Sequence, residues 1–168
     1  YNDADESDVF ILSGAEDLVP EFKKDGLGKW IIIDGKYVID EKPGTINGIQ
    51  YKIRRYRPRI EGLFARIEHW TNSEGISHWR SISKDNITTL YGATAESCIV
   101  DPTDKTRIFS WLICESFDDK GNAIRYEYIE EDSTKVDTAQ ANERNRNDNV
   151  YKTNRYLKSI QYGNKKSH

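Results

Sequence analysis

Several groups of residues in this chain have types and spacings that invite chemistry. Glu68, His69 and His78 flank the turn 71–75, and zinc is held by such ligands when three or four converge. If Trp70 pairs with Ile76, His69 faces Ser77 and Glu68 faces His78, so the imidazoles point to opposite faces or lie diagonally. That arrangement reads as cross-strand polar pairing, and no metal is expected. Cys98 has no partner histidine within a protease signature, so nothing supports a thiol nucleophile. Neither a GxSxG elbow nor a GxxxxGKS/T phosphate loop is present. Gly26-Leu27-Gly28 lacks the third glycine and preceding strand of a dinucleotide fingerprint and reads as a loop. Asp118-Asp119-Lys120-Gly121-Asn122 resembles the start of a calcium loop, but the chain continues as a strand where a bidentate glutamate is needed. It reads as a tight turn. No catalytic, cofactor-binding or metal-ligating residue is assigned, and no cofactor is expected.

Charge is the next signal. Lys52, Arg54, Arg55, Arg57 and Arg59 form the one basic cluster; on a strand, Lys52 and Arg54 share one face and the other three share the opposite one. An anionic partner surface and a solvated sheet edge, with Pro58 blocking further pairing, are the two readings, and the edge is the simpler. Asp3, Asp5, Glu6 and Asp8 read as a solvated face. Asn86-Ile87-Thr88 fits a glycosylation acceptor, which matters only in a eukaryotic secretory chain. Over 168 residues, 25 Lys and Arg oppose 28 Asp and Glu for a net charge of −3. No global basic field draws nucleic acid or an acidic membrane, and neither partner is expected.

Such side chains need elements to position them, and the apolar pattern has the period of two that marks strands. Residues 9–12 form a short strand. Residues 30–33 and 36–39 flank Asp34-Gly35, a pair suited to the positive φ values of a type I′ turn. That register puts Ile32 opposite Tyr37 and Ile31 opposite Val38. A second pair covers 63–70 and 76–82, and a third covers 110–117 and 123–129, where Ile124, Tyr126 and Tyr128 share a face. Phe109, Leu112 and Ile113 also fit a helical face. A last strand, 156–162, ends at Gly163-Asn164, and the polar stretch 133–149 reads as an exposed excursion. Aromatics beside basic residues in 125–128 and 155–164 make a faint internal echo, as stacked strands of an extended sheet would.

Composition agrees with this pattern. The chain is 36% hydrophobic and 32% charged, with mean hydropathy −0.80, yet its 4 Trp, 10 Tyr and 5 Phe are more bulk than disordered chains carry. The longest apolar runs, such as 30–33, are far short of the roughly 20 residues of a spanning helix. No signal segment opens the chain, methionine is absent, and the sequence reads as a piece of a longer protein. Cys98 and Cys114 make no disulfide framework and read as small core residues. The fold class is mainly β, antiparallel hairpins with little helix. Trp70, Trp79, Trp111, Tyr126 and Tyr128 are expected in the core, because large aromatics dominate burial.

Residues 56–68, Tyr-Arg-Pro-Arg-Ile-Glu-Gly-Leu-Phe-Ala-Arg-Ile-Glu, and residues 3–20 closely resemble the SpvB/TcB family. The family comprises the N-terminal regions of Salmonella virulence plasmid B proteins and of the B components of bacterial insecticidal toxin complexes. Residues 78–86, 109–112 and 151–157 resemble later blocks of the same region. Residues 23–51 and 133–149 are its variable parts.

The resemblance implies that residues 1–168 are a single fragment of the SpvB-like N-terminal region of a larger secreted toxin subunit, cytoplasmic before release. It implies an Rhs-shell-like extended sheet that helps enclose a toxic C-terminal polypeptide. The partners are then the rest of the subunit and the C component, with the A component docked through other domains. Some members end in an actin ADP-ribosyltransferase domain with an Arg, a Ser-x-Ser strand and a Glu-x-Glu turn. Arg80 and Ser81-Ile82-Ser83 imitate the first two, but no Glu-x-Glu occurs, and Glu130-Glu131-Asp132 is the nearest sequence. The fragment is therefore expected not to be an enzyme. A free-standing carbohydrate- or protein-binding β module is the alternative, and it would carry its aromatics on an open face.

Overall fold

The computed structural model describes residues 9–12, 17–60, 65–131, 137, 140–141 and 153–165. The chain divides into two compact units, Tyr1–Thr88 and Thr89–His168. Strands dominate both, and the helical content of the described residues is one 3-10 turn, η1 (Ala95–Ser97). No described helix is long and apolar enough to cross a membrane.

In the first unit, β1 (Phe10–Ile11), β2 (Asp17–Pro20), β6 (Ile49–Pro58), β7 (Ala65–Asn72) and β8 (Ser77–Ser83) pair antiparallel in that order. β5 (Glu41–Ile46) pairs with β6 on the side that β2 also uses, further along the strand. The β5–β6 hairpin turns on Asn47 and Gly48, both at positive φ (50° and 80°), the pair most suited to a type I′ turn. The Asp34-Gly35 hairpin also forms, with φ of 50° and 75° and Ile32 opposite Tyr37. Its strands, β3 (Ile32–Ile33) and β4 (Lys36–Tyr37), are shorter than expected, and Ile32, Ile33 and Tyr37 are all exposed.

Two expectations for this unit are corrected. The β7–β8 register lies two residues from the one inferred: Trp70 faces His78, His69 faces Trp79 and Glu68 faces Arg80. The cause is Asn72, whose Oδ1 accepts the N–H groups of Glu74 and Ile76 while its own N–H donates to the Ile76 carbonyl. The turn is thereby shortened, and the strands run on to Asn72. The basic strand, β6, is no edge, since β2 or β5 flanks it on one side and β7 on the other. Pro58 is its last residue, opposite Leu18, where a missing N–H costs least.

In the second unit, the order is β9 (Thr88–Tyr91), β12 (Ile113–Phe117), β13 (Asn122–Glu130) and β14 (Arg155–Lys165), while β10 (Cys98–Val100) pairs separately with β11 (Ile108–Trp111). Residues 110–117 are thus two strands, not one. Leu112 breaks them by donating its N–H to the Ser97 carbonyl and accepting from the Gly92 N–H, both at 2.8 Å. No helix forms over Phe109, Leu112 and Ile113. β14 continues past Gly163, which lies at φ 76° where the β13–β14 register shifts by a residue. The two segments of the internal echo are neighbours, with Tyr126 opposite Ile160 and Tyr128 opposite Leu157. The opening acids and most of the polar excursion at 133–149 lie outside the described residues.

Of the five aromatics expected in the core, Trp70 and Trp79 are each 7% exposed, while Trp111, Tyr126 and Tyr128 are half-buried. The physical reason is position. The two tryptophans sit on β7 and β8, where rings from neighbouring strands cover them. The tyrosines sit on β13, whose one neighbour on that side is the outermost strand β14.

Candidate functional site

Strand alternation sorts the first unit's sheet into two faces. On one, Phe10, Tyr56 and Trp79 meet edge to face with centroids 5.0–5.6 Å apart, and His69 stacks on Trp79 at 4.4 Å. On the other, His78 stacks on Trp70 at 5.8 Å, with Tyr51 edge-on to both. The two imidazoles therefore occupy opposite faces and share no ion. Burial lowers each to a pKa of about 4, helped by the positive charge of Arg54 and then His78 at His69, and of Arg80 at His78. Both are neutral near pH 7 and serve as flat aromatic spacers. Among the described residues, no three His, Cys, Asp or Glu side chains gather as a metal site.

Glu68 does not meet His78. Its carboxylate is buried on the Trp70 face, accepting from Trp70 Nε1 at 3.1 Å and pairing with Arg66 Nε at 3.0 Å. The residues that imitate a transferase motif also have structural uses. The Arg80 guanidinium lies 5.9 Å from the Trp70 ring centroid, and Ser83 Oγ accepts from the N–H groups of Asp85 and Ile87 to close a turn. Asp118 spends its carboxylate on the N–H groups of Lys120 and Asn122 and on Asn122 Nδ2, which holds it below the usual carboxylate range. That is the tight turn the sequence indicated, with Gly121 at φ 84°.

The cysteines are free and buried. Cys98 Sγ donates to the Gly92 carbonyl at 3.4 Å and Cys114 Sγ to the Leu90 carbonyl at 3.3 Å. Burial pushes the Cys98 thiol up to about 11, with Cys114 nearby adding to the rise, and burial raises Cys114 as well. Protonated thiols of this kind are poor nucleophiles. In the same unit, a cleft of about 530 Å³ is lined by Tyr126, Tyr128, Glu115, Arg125 and Lys158 among others. Two of its polar groups are engaged within the unit: Tyr128 Oη donates to the Ile113 carbonyl at 2.8 Å, and Arg125 pairs with Glu115 at 3.3 Å.

The basic cluster divides between the two faces of β6 as strand alternation implies. Arg54 and Lys52 share Glu41 at 2.8 and 4.0 Å, and Arg59 pairs with Asp17 at 3.6 Å. Arg55 and Arg57 lie on the other face of β6 and line a groove of about 440 Å³ with Arg66, Lys84 and Glu21.

Comparison with known proteins gives a consistent result. The family model described as Salmonella virulence plasmid 65kDa B protein matches residues 1–168. The mono(ADP-ribosyl)transferase SpvB of Salmonella typhimurium is 36% identical over 115 residues, 68% of this chain and 19% of the relative, so the chain matches about a fifth of that protein's length. The solved N-terminal domain of effector protein SpvB from Salmonella typhimurium strain LT2 superposes with a TM-score of 0.78 at 30% identity, covering 95% of this chain and 47% of that one. The Photorhabdus luminescens Tc holotoxin pore gives a TM-score of 0.74 at 26% identity, over 95% of this chain and 7% of its own. The mainly antiparallel fold is thus that of the SpvB N-terminal domain and of part of a toxin complex. With its whole length matched by the family model, the chain belongs to the SpvB family.

Proposed function

We propose that this chain is wall material in a toxin subunit, a strand-built segment that helps enclose and deliver a toxic C-terminal polypeptide. The observation that carries the reading is where the chain puts its bulk. Trp70 and Trp79 fix neighbouring strands to one another in the first unit, while β14 offers an eleven-residue outer strand with Tyr156, Leu157, Ile160 and Tyr162 exposed. A segment that bears load by pairing has reason to look like this. A binding module would gather its largest aromatics on an open face; Trp70 and Trp79 are buried, and of the tryptophans only Trp30 is exposed.

On this reading, the 168 residues are one part of a larger SpvB-type N-terminal region. Its partners are the remainder of its own subunit and a C component, and any A component docks elsewhere. The parent is a secreted bacterial toxin, and any transferase activity lies in a separate C-terminal domain. The test is protease treatment and mass spectrometry of the full-length parent with its encoded partner. A protected C-terminal polypeptide within a stable complex is the expected result. An exposed terminus with ADP-ribosylated actin as product would make this segment the scaffold half of a two-domain enzyme instead.

A further inference from the structure

The sheet of the second unit has two unlike faces. On one, Arg125 pairs with Glu115 at 3.3 Å, and the Glu127 carboxylate accepts from Ser159 Oγ at 2.8 Å and from Gln161 Nε2 at 2.7 Å. Those polar side chains serve one another across β12, β13 and β14, and Ile129 faces Tyr156 at the end of the row. On the other face, Tyr126 lies opposite Ile160 and Tyr128 opposite Leu157. The register shifts between Glu127 and Tyr128, and the extra residue, Lys158, keeps Leu157 on the same side as Ile160. Ile124 and Tyr162 follow on that side by alternation.

A second layer starts over this apolar face and stops short. Leu90, Ala93 and Glu96 of η1 wall the cleft of about 530 Å³ against Tyr126 and Tyr128, whose rings are half-buried. Among the described residues, no such cover reaches β14: Leu157 is 51% exposed, Ile160 48% and Tyr162 82%. With Ile124 beside them, these side chains leave roughly 400 Å² of apolar surface open, the size at which a patch marks an interaction site. A sheet buries its apolar face against another element, and here half of that element is in place.

We propose that the apolar face of β13 and β14 is covered by a segment from the remainder of the same subunit, laid across it as a second layer with apolar side chains inward. The proposal rests on the reading of the chain as one part of a larger subunit, and it adds a place and a direction. Contact comes over the face, whereas pairing at the free edge of β14 alone would lengthen the sheet and leave the face open. Ile124, Leu157, Ile160 and Tyr162 carry no charge, so the covering segment is held by apolar burial and not by ion pairs. Relatives have the chain to supply such a layer. The superposition covers 47% of the solved SpvB N-terminal domain, so more than half of that chain lies outside the matched part.

The test is hydroxyl-radical footprinting of the full-length parent, read at single side chains by mass spectrometry. No variant has to fold, because the two faces supply matched pairs: Ile160 and Ile129 are each 48% exposed on opposite faces, and Tyr162 and Tyr156 are a second such pair. Ile160 and Tyr162 are expected to react about fivefold or more slowly than Ile129 and Tyr156, as half-open side chains become core ones. The parent is measured without its encoded partner, at a dilution where light scattering gives a single copy. Equal rates within each pair would overturn the proposal. So would protection of Ile160 that appears only on adding the encoded partner, or only as copies associate. The protease experiment on the C-terminal polypeptide reads separately. An exposed terminus with Ile160 protected leaves the second layer in place, and a protected terminus with Ile160 reactive removes it while the enclosure stands.

Discussion

The sheet of the first unit and the β13–β14 pair of the second are made from similar residues put to different use. On β6, β7 and β8, the rings of each face pack against their own neighbours, and Tyr56, Ile67, Trp70 and Trp79 are buried. On β14, Tyr156, Leu157, Ile160 and Tyr162 stand exposed beside a single neighbouring strand, Tyr162 at 82%. An aromatic contributes to stability in proportion to the area that its neighbours cover. The first sheet is therefore held by its own strands, whereas β14 carries apolar area that the described residues do not use.

The largest effect expected from this contrast is Trp79→Ala, which removes the ring that Phe10, Tyr56 and His69 all touch. It costs about 3–5 kcal/mol, while Tyr162→Ala costs less than about 0.5 kcal/mol. Urea unfolding of both variants gives the comparison, and equal losses would break it.

Acid should act on the first sheet more than on the second unit. His69 and His78 have folded pKa values of about 4 against 6.5 when free, so between those values the unfolded chain binds protons that the native one does not. Their contribution is complete above pH 6.5 and is lost as pH falls towards 4, at about 1.4 kcal/mol per pH unit for each histidine. The other histidine is the terminal His168. Amide exchange at pH 7 and pH 5 should show protection falling faster in β7 and β8 than in β12 and β13. His69→Gln and His78→Gln should each flatten the dependence.

The second unit has one tight point of its own. Gly92 lies at φ 68°, and a Cβ there would overlap the Trp111 ring and come within 3.0 Å of Cys98 Sγ. Gly92→Ala should cost about 1–3 kcal/mol from backbone strain and crowding, read as a fall in the midpoint of thermal unfolding. If the substitution is silent, the β10–β11 junction is looser than its geometry implies.

The smallest effect on stability is expected at the edge. Naked strands pair with copies of themselves, so light scattering of the chain should show mass rising with concentration. Ile160→Lys should suppress that rise while changing stability by less than about 0.5 kcal/mol. A clean monomer over a wide concentration range would end this view of β14.

Much of the architecture was legible in the residue pattern. Period-two alternation marked the strands, Asp34-Gly35 and Asp118-Asn122 marked turns, and the blocks at 3–20 and 56–68 marked the family. Asn47-Gly48 is an equally strong hairpin signal, obscured in the residue pattern by Pro43 and Gly44, which weaken the strand before it. The basic groove was only half legible. The spacing put Arg55 and Arg57 on one face, but Arg66 and Lys84 come from other strands, and only pairing brings them alongside.

What the sequence determined by itself is what depends on neighbours a few residues away: alternation, turn chemistry and the type of fold. The tertiary structure decided the register at Asn72, the interior place of β6, the split of one expected strand at Leu112 and the unequal burial of five similar aromatics. Each of those depends on which strand lies alongside, and a one- or two-residue choice of partner changes what every side chain on the strand meets.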